Sequence, residues 1–213
     1  MVIAHHLIWT GYGWWLPNDP RGSTSHVIRS DVIAELGALH HGRKRVQPAS
    51  TDVRRFYATA QDVLRYPLLS FDPAEIEMVA GGIREAVLTS NYTCYACAVM
   101  PDHVHVLLRK HRHSAEEMIA VMQRYSAAQL HGEGACEDSH PVWGGGGWKV
   151  FLDHPDEVRR TINYIRDNPV KMRMRPQQWA FVRQYDGWPF HPGHSPNSPY
   201  ARRGRGEPFR RKS

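Results

Sequence analysis

Cysteine is scarce in this chain: three in 213 residues, Cys94, Cys97 and Cys136. So small and odd a set excludes a disulfide-built framework and fits a reducing, cytoplasmic setting. Long apolar runs are missing as well. No stretch reaches the roughly 20 residues that a membrane-spanning helix needs. The opening Met1-Val2-Ile3-Ala4-His5-His6 also lacks the positive region of a secretory signal, so no membrane partner is expected. Acidic residues are outnumbered, with 27 Lys and Arg against 21 Asp and Glu and a formal net charge of +6. That excess favours an anionic partner such as nucleic acid. No internal repeat is present. What remains is ordinary for a globular domain: 41% hydrophobic and 23% charged residues, in a chain long enough for one substantial core.

Residues 5–12 read as a first strand. An irregular insertion over about 14–70 follows, punctuated by Pro17, Pro20 and Gly22, with a basic knot at Arg43-Lys44-Arg45 and one short helix near 51–64. A helix then opens at Asp72-Pro73-Ala74-Glu75, where Asp72 suits the N-cap and Glu75 the reciprocal cap. Gly81-Gly82 weakens it locally. Thr93 to Met100 and His103 to Arg109 read as two strands joined at Pro101-Asp102. Ser114-Ala115-Glu116-Glu117 is a second capping box, opening a helix to about His131. Trp148 to Leu152 is a further strand. The last helix runs from about Pro155 to Asn168 and is expected to stop at Pro169. This order predicts an α+β domain with a ferredoxin-like antiparallel sheet flanked by helices. The domain is expected to cover residues 1–192. A basic tail over 193–213, with Arg202, Arg203 and Arg205 among its charges, is expected to be disordered without a partner.

Two patterns carry chemistry. In Met100-Pro101-Asp102-His103-Val104-His105-Val106-Leu107-Leu108, period-two geometry puts His103 and His105 on one strand face. Neutral imidazoles there could ligate one divalent ion, or simply be structural. Asp102 reads as a turn residue. In the last helix, Val158, Ile162 and Ile165 form an apolar stripe, and Tyr164 falls roughly 110° from its middle with Asn168 on the same flank. The pair is a boundary tyrosine with a polar neighbour, or a nucleophile beside a ligand. Tyr125 and Gln129 repeat the spacing, but Tyr125 continues an apolar stripe and reads as core. A rival zinc site would combine Cys94 and Cys97 with His103 and His105. It conflicts with the strand reading, which points cysteines three residues apart to opposite faces.

Taken jointly, these segments resemble a known family. The His103-Val104-His105 strand resembles the motif of the HUH single-tyrosine transposases (IS200-like). Tyr164-Ile165-Arg166-Asp167-Asn168-Pro169-Val170-Lys171 resembles the tyrosine helix of their REP-associated branch. Trp143, Trp148-Lys149-Val150-Phe151 and Trp14-Trp15-Leu16-Pro17-Asn18-Asp19-Pro20-Arg21-Gly22 are similar to segments of that branch, so the resemblance spans most of residues 5–190. It implies a transposase that nicks and rejoins single-stranded or hairpin DNA. Tyr164 would be the nucleophile, and His103, His105 and Asn168 the ligands of a Mg²⁺ or Mn²⁺ ion. The DNA contacts expected are Arg43, Lys44, Arg45, Trp143, Trp148, Lys149, Arg202, Arg203 and Arg205, with Trp179 and Trp188 as further stacking candidates. Members act as homodimers or as monomers, and the resemblance leaves both open. The alternative is a non-catalytic nucleic-acid-binding descendant of such an enzyme.

Overall fold

The elements begin where the side chains can satisfy free backbone N–H groups. In the computed structural model, which describes residues 1–190 apart from Thr24 and Arg43, both expected capping boxes are formed. Asp72 accepts from the N–H groups of Ala74 and Glu75 at 2.8 Å, while Glu75 reaches back to the N–H of Asp72. Ser114 and Glu117 do the same for the second helix. The element order is β1 (Ala4–Thr10), α1 (Asp31–Ala34), α2 (Ser50–Val63), α3 (Pro73–Thr89), β2 (Cys94–Val99), β3 (His103–Arg109), α4 (Ala115–Gly132), β4 (Trp148–Leu152) and α5 (Pro155–Lys171). Only α1, a single turn capped by Ser30, lies outside the sequence expectation.

The four strands form one antiparallel sheet in the order β2-β3-β1-β4. This is the expected α+β, ferredoxin-like arrangement, with β1 and β3 in the centre. Helices α3 and α4 cover one face, where Leu7, Trp9, Val104, Val106 and Leu108 meet Val79, Ile83, Met118 and Met122. Helix α5 covers part of the other, where Ala4, Leu107 and Leu152 meet Val158 and Ile165. The two helices on the first face approach closely at Gly82. A Cβ there would stand 2.4 Å from the Cα of Ser126.

Two local expectations need correction. Helix α5 does not stop at Pro169: it runs through to Lys171, with Pro169 buried inside it. Proline removes one N–H from the ladder, but this near the C-terminus the loss is a single bond. The carbonyls of Asn168 and Pro169 still accept from Met172 and Met174. Asn168 therefore keeps helical register with Tyr164. In β2, the pairing with β3 shifts between Cys94 and Ala96. This irregularity brings Cys94 and Cys97 into the same core cluster on the α3/α4 side, not onto opposite faces. Burial pushes the Cys94 thiol up to about 12 and that of Cys97 well above its ordinary value.

After α5 the chain returns along the free edge of β2. The Gln177 carboxamide donates to the carbonyl of Val99 at 2.7 Å and accepts from its N–H at 2.9 Å. The N–H of Arg183 donates to the carbonyl of Cys94 at 2.8 Å. Strand β4 forms the opposite edge, and no strand pairs with its outer side among the described residues. No described helix is long and apolar enough to cross a membrane.

Candidate active site

The β1–β3 register sets Ile8 opposite His105, Thr10 opposite His103 and His6 opposite Leu107. Directly opposed residues share a face, so His6, His103 and His105 all project toward the side on which α5 packs. The imidazoles touch in series. His6 Nε2 lies 2.9 Å from His105 Nδ1, and His105 Nε2 lies 3.1 Å from His103 Nε2. The chain ends at Asp102, whose Oδ1 is 2.6 Å from His103 Nδ1. Burial holds His6 down to about 4 and His105 well below its ordinary range, with the charges of His103 and His6 adding to the effect on His105. Both rings are therefore neutral at neutral pH. Burial would raise Asp102, but the hydrogen bond and charge of His103 and the charge of Arg21 hold it below the usual carboxylate range.

Helix α5 brings the phenol. Its apolar residues Val158 and Ile165 are buried against the sheet, and Tyr164 emerges beside them at 47% exposure. The ring stands edge-on to His105, centroids 5.6 Å apart, and to His6 at 6.1 Å. Lys171 places its Nζ 5.5 Å from the same ring. One turn beyond Tyr164, the Asn168 carboxamide nitrogen is buried without a hydrogen-bond partner.

The donor chemistry fits a divalent cation. If Asp102 accepts from Nδ1–H of His103 and His6 accepts from Nδ1–H of His105, both Nε2 lone pairs face one another. A cation placed there would meet two lone pairs at once. Fixing the outer ring nitrogen is the usual way a histidine ligand is oriented. The orphaned Asn168 amide costs about 1–3 kcal/mol as it stands. Turned over, it presents a neutral oxygen donor. Among the described residues no three His, Cys, Asp or Glu side chains converge as a ligand cluster. The rival zinc set is ruled out by geometry, since Cys94 and Cys97 lie on the α3/α4 side of the sheet and the histidines on the other.

The structure scatters the other expected contacts. Trp148, at 44% exposure, stands opposite Ile8, which stands opposite His105, so it shares the histidine face. Lys149 points the other way and pairs with Glu116 at 2.7 Å. Trp143 is a packing residue: its ring meets Trp9 and Phe71, and its N–H donates to the carbonyl of Gln123. Tyr125 packs against the same core, across the sheet from the histidines. Trp179 also packs there, while Trp188 packs on the α5 side beneath Arg109. Lys44 and Arg45 are exposed in the insertion. Arg43, Arg202, Arg203 and Arg205 lie outside the described residues.

Sequence reasoning missed His6 and undervalued Asp102. A signal for the first existed: His5-His6 lies in an apolar strand, so one of the two must project on each face.

No protein-family profile matches the chain, and no curated protein sequence does. Among solved structures, the chain is similar to a REP-associated tyrosine transposase bound to a REP hairpin, at 13% identity and a TM-score of 0.42, over 88% of this chain and 74% of that one. It is also similar to a transposase candidate from Deinococcus radiodurans R1, at 13% identity and a TM-score of 0.39, over 78% of this chain and 89% of that one.

Proposed function

We propose that this chain cleaves and rejoins single-stranded DNA, with Tyr164 as the nucleophile. The observation that carries the reading is the meeting of α5 and β3: an exposed phenol set against His105, whose Nε2 faces that of His103. His103, His105 and Asn168 would hold Mg²⁺ or Mn²⁺, which when bound polarises a phosphate and neutralises charge developing on it. The phenolic oxygen of Tyr164 attacks phosphorus, and its proton passes to solvent. The bond from phosphorus to the 3′ oxygen breaks, and that oxygen takes up a proton and leaves as a free hydroxyl. The 5′ phosphate stays joined to the tyrosine as a phosphodiester. A second 3′ hydroxyl can reverse the step and rejoin strands without an external energy source. Asp102 and His6 hold the two histidine rings in orientation. Lys171 offers a positive charge close to the phenol, and Trp148 an exposed ring on the same face. A DNA hairpin with single-stranded flanks is the substrate class that the motif resemblance implies.

The test is incubation of the full chain with such hairpins and Mn²⁺, followed by denaturing electrophoresis and peptide mapping. The expected product is a covalent adduct on the peptide containing Tyr164. The Tyr164→Phe variant should form none, yet bind the hairpin within about twofold and keep its stability within about 0.5 kcal/mol, as surface changes do. An adduct mapped to another tyrosine would overturn the assignment. No adduct from the wild-type chain with any hairpin would favour a non-catalytic binder.

A further inference from the structure

Beside the histidines, the insertion presents a second feature that the cleavage chemistry does not use. Two consecutive tryptophans leave β1 and take opposite roles. Trp14 is an anchor: its Nε1 donates to the carbonyl of Leu69 at 2.7 Å, and its ring packs on Tyr57 at 4.6 Å. Trp15 is turned outward, 37% exposed, with its backbone in the left-handed region at φ +54°. That conformation costs a residue with a Cβ about 1–2 kcal/mol, so neighbours must impose it.

The neighbours are visible. The N–H of Trp15 donates to the hydroxyl of Tyr57 at 2.8 Å. Tyr57 in turn donates to Asp19, which is fully buried. Arg21 grips the same carboxylate with Nε at 3.0 Å and Nη2 at 2.7 Å, and its Nη2 also reaches the Tyr57 hydroxyl at 3.0 Å. Locked in this way, the guanidinium lies 4.0 Å from the centroid of the Trp15 ring. The indole therefore has a fixed backbone and a cation held against it. Its ring centroid stands 5.9 Å from that of His103, with the two planes nearly perpendicular. A half-buried ion pair, a buried phenol and a strained residue thus hold one partly exposed aromatic plane beside His103. Packing alone would not need the plane exposed.

We propose that Trp15 is a stacking platform for an unpaired nucleobase next to the scissile phosphate, braced by Asp19, Arg21 and Tyr57. The inference rests on the single-stranded DNA reading above. A phosphate at His103 with a flat ring alongside is the chemistry of one nucleotide, whose base lies within reach of its own phosphate. Aromatic stacking accepts any base, because every base has a π face. Trp15 therefore supplies position along the strand. A paired base is already stacked in its duplex, so the platform also discriminates against duplex DNA.

The test uses the full chain and a labelled hairpin oligonucleotide whose single-stranded flank carries one abasic site, moved stepwise along it. With wild type, one position should lower affinity by about tenfold, the loss of one stacked base. Trp15→Ala should lower affinity for the intact strand by a similar factor and be indifferent to the abasic site at that position. Trp15→Phe should keep most of the affinity and the position dependence. 2-Aminopurine at that position should be quenched by wild type and not by Trp15→Ala. A wild-type abasic profile without any single sensitive position overturns the platform, with no variant needed. So does a profile that is the same in Trp15→Ala. If either occurs while the Tyr164 adduct still forms, the platform alone fails. If neither adduct nor strand binding is found, both readings fail.

Discussion

His6 and Asp102 hold the outward nitrogens of the two motif histidines, and their removal has a consequence apart from catalysis. With His6→Ala, His105 loses the ring nitrogen that its Nδ1 meets at 2.9 Å. Partners of this kind are typically worth ten- to a hundredfold in metal affinity. Calorimetric titration with Mn²⁺ should show a loss of roughly that size. His6→Gln should recover part of it, since an amide oxygen can accept from Nδ1–H. Equal Mn²⁺ affinity in wild type and His6→Ala would remove His6 from the site. The motif histidines were legible because period two is a local rule. His6 was not, because bringing it against His105 depends on the register of β1 on β3, which no local rule supplies. Asp102 read as a turn residue, and it is one, but the same turn also aims its carboxylate at His103.

At the scale of elements, capping boxes and periodicity located the start of α3 and the whole of α4 and β3 almost to the residue. Proline proved a weaker stop than expected at the end of α5, where only one ladder bond was at stake. The adjacent glycines of α3 make a sharper case, since sequence gives both the same helix-weakening role. In the structure they differ. Among the described residues, nothing beyond the surrounding turns of α3 lies within 4 Å of a Cβ built on Gly81, whereas one on Gly82 meets the backbone of Ser126 at 2.4 Å. Gly81→Ala should stabilise by about 0.5–1 kcal/mol through helix propensity. Gly82→Ala should destabilise by about 1–3 kcal/mol through overpacking. Urea denaturation midpoints should therefore move in opposite directions. Shifts of one sign would contradict the close crossing of α3 and α4.

For the whole molecule, the sheet order followed from the element order, because a split β-α-β arrangement leaves few alternatives. The insertion did not follow: its Asp19–Arg21–Tyr57 cluster joins residues up to 38 apart that share no periodicity. Charge is also a property of the whole. Six of the 27 basic residues, against the single acid Glu207, fall in residues 202–213, so the rest of the chain is close to neutral. Since α5 packs through Val158 and Ile165 on its own chain's sheet, one chain supplies every residue of the proposed site. Mixing Tyr164→Phe chains with His103→Ala chains should therefore give no adduct beyond that of each alone, as read by labelled-oligonucleotide capture. Restored capture would mean that copies exchange α5. The chain's return along β2 bears on assembly as well. With Gln177 and Arg183 bonded to that edge, β4 is the one edge left open to strand addition among the described residues. Growth needs two free ends, so a molecule with one can join another edge to edge only as a closed pair. By this route the sheet can dimerise but cannot propagate into a fibre.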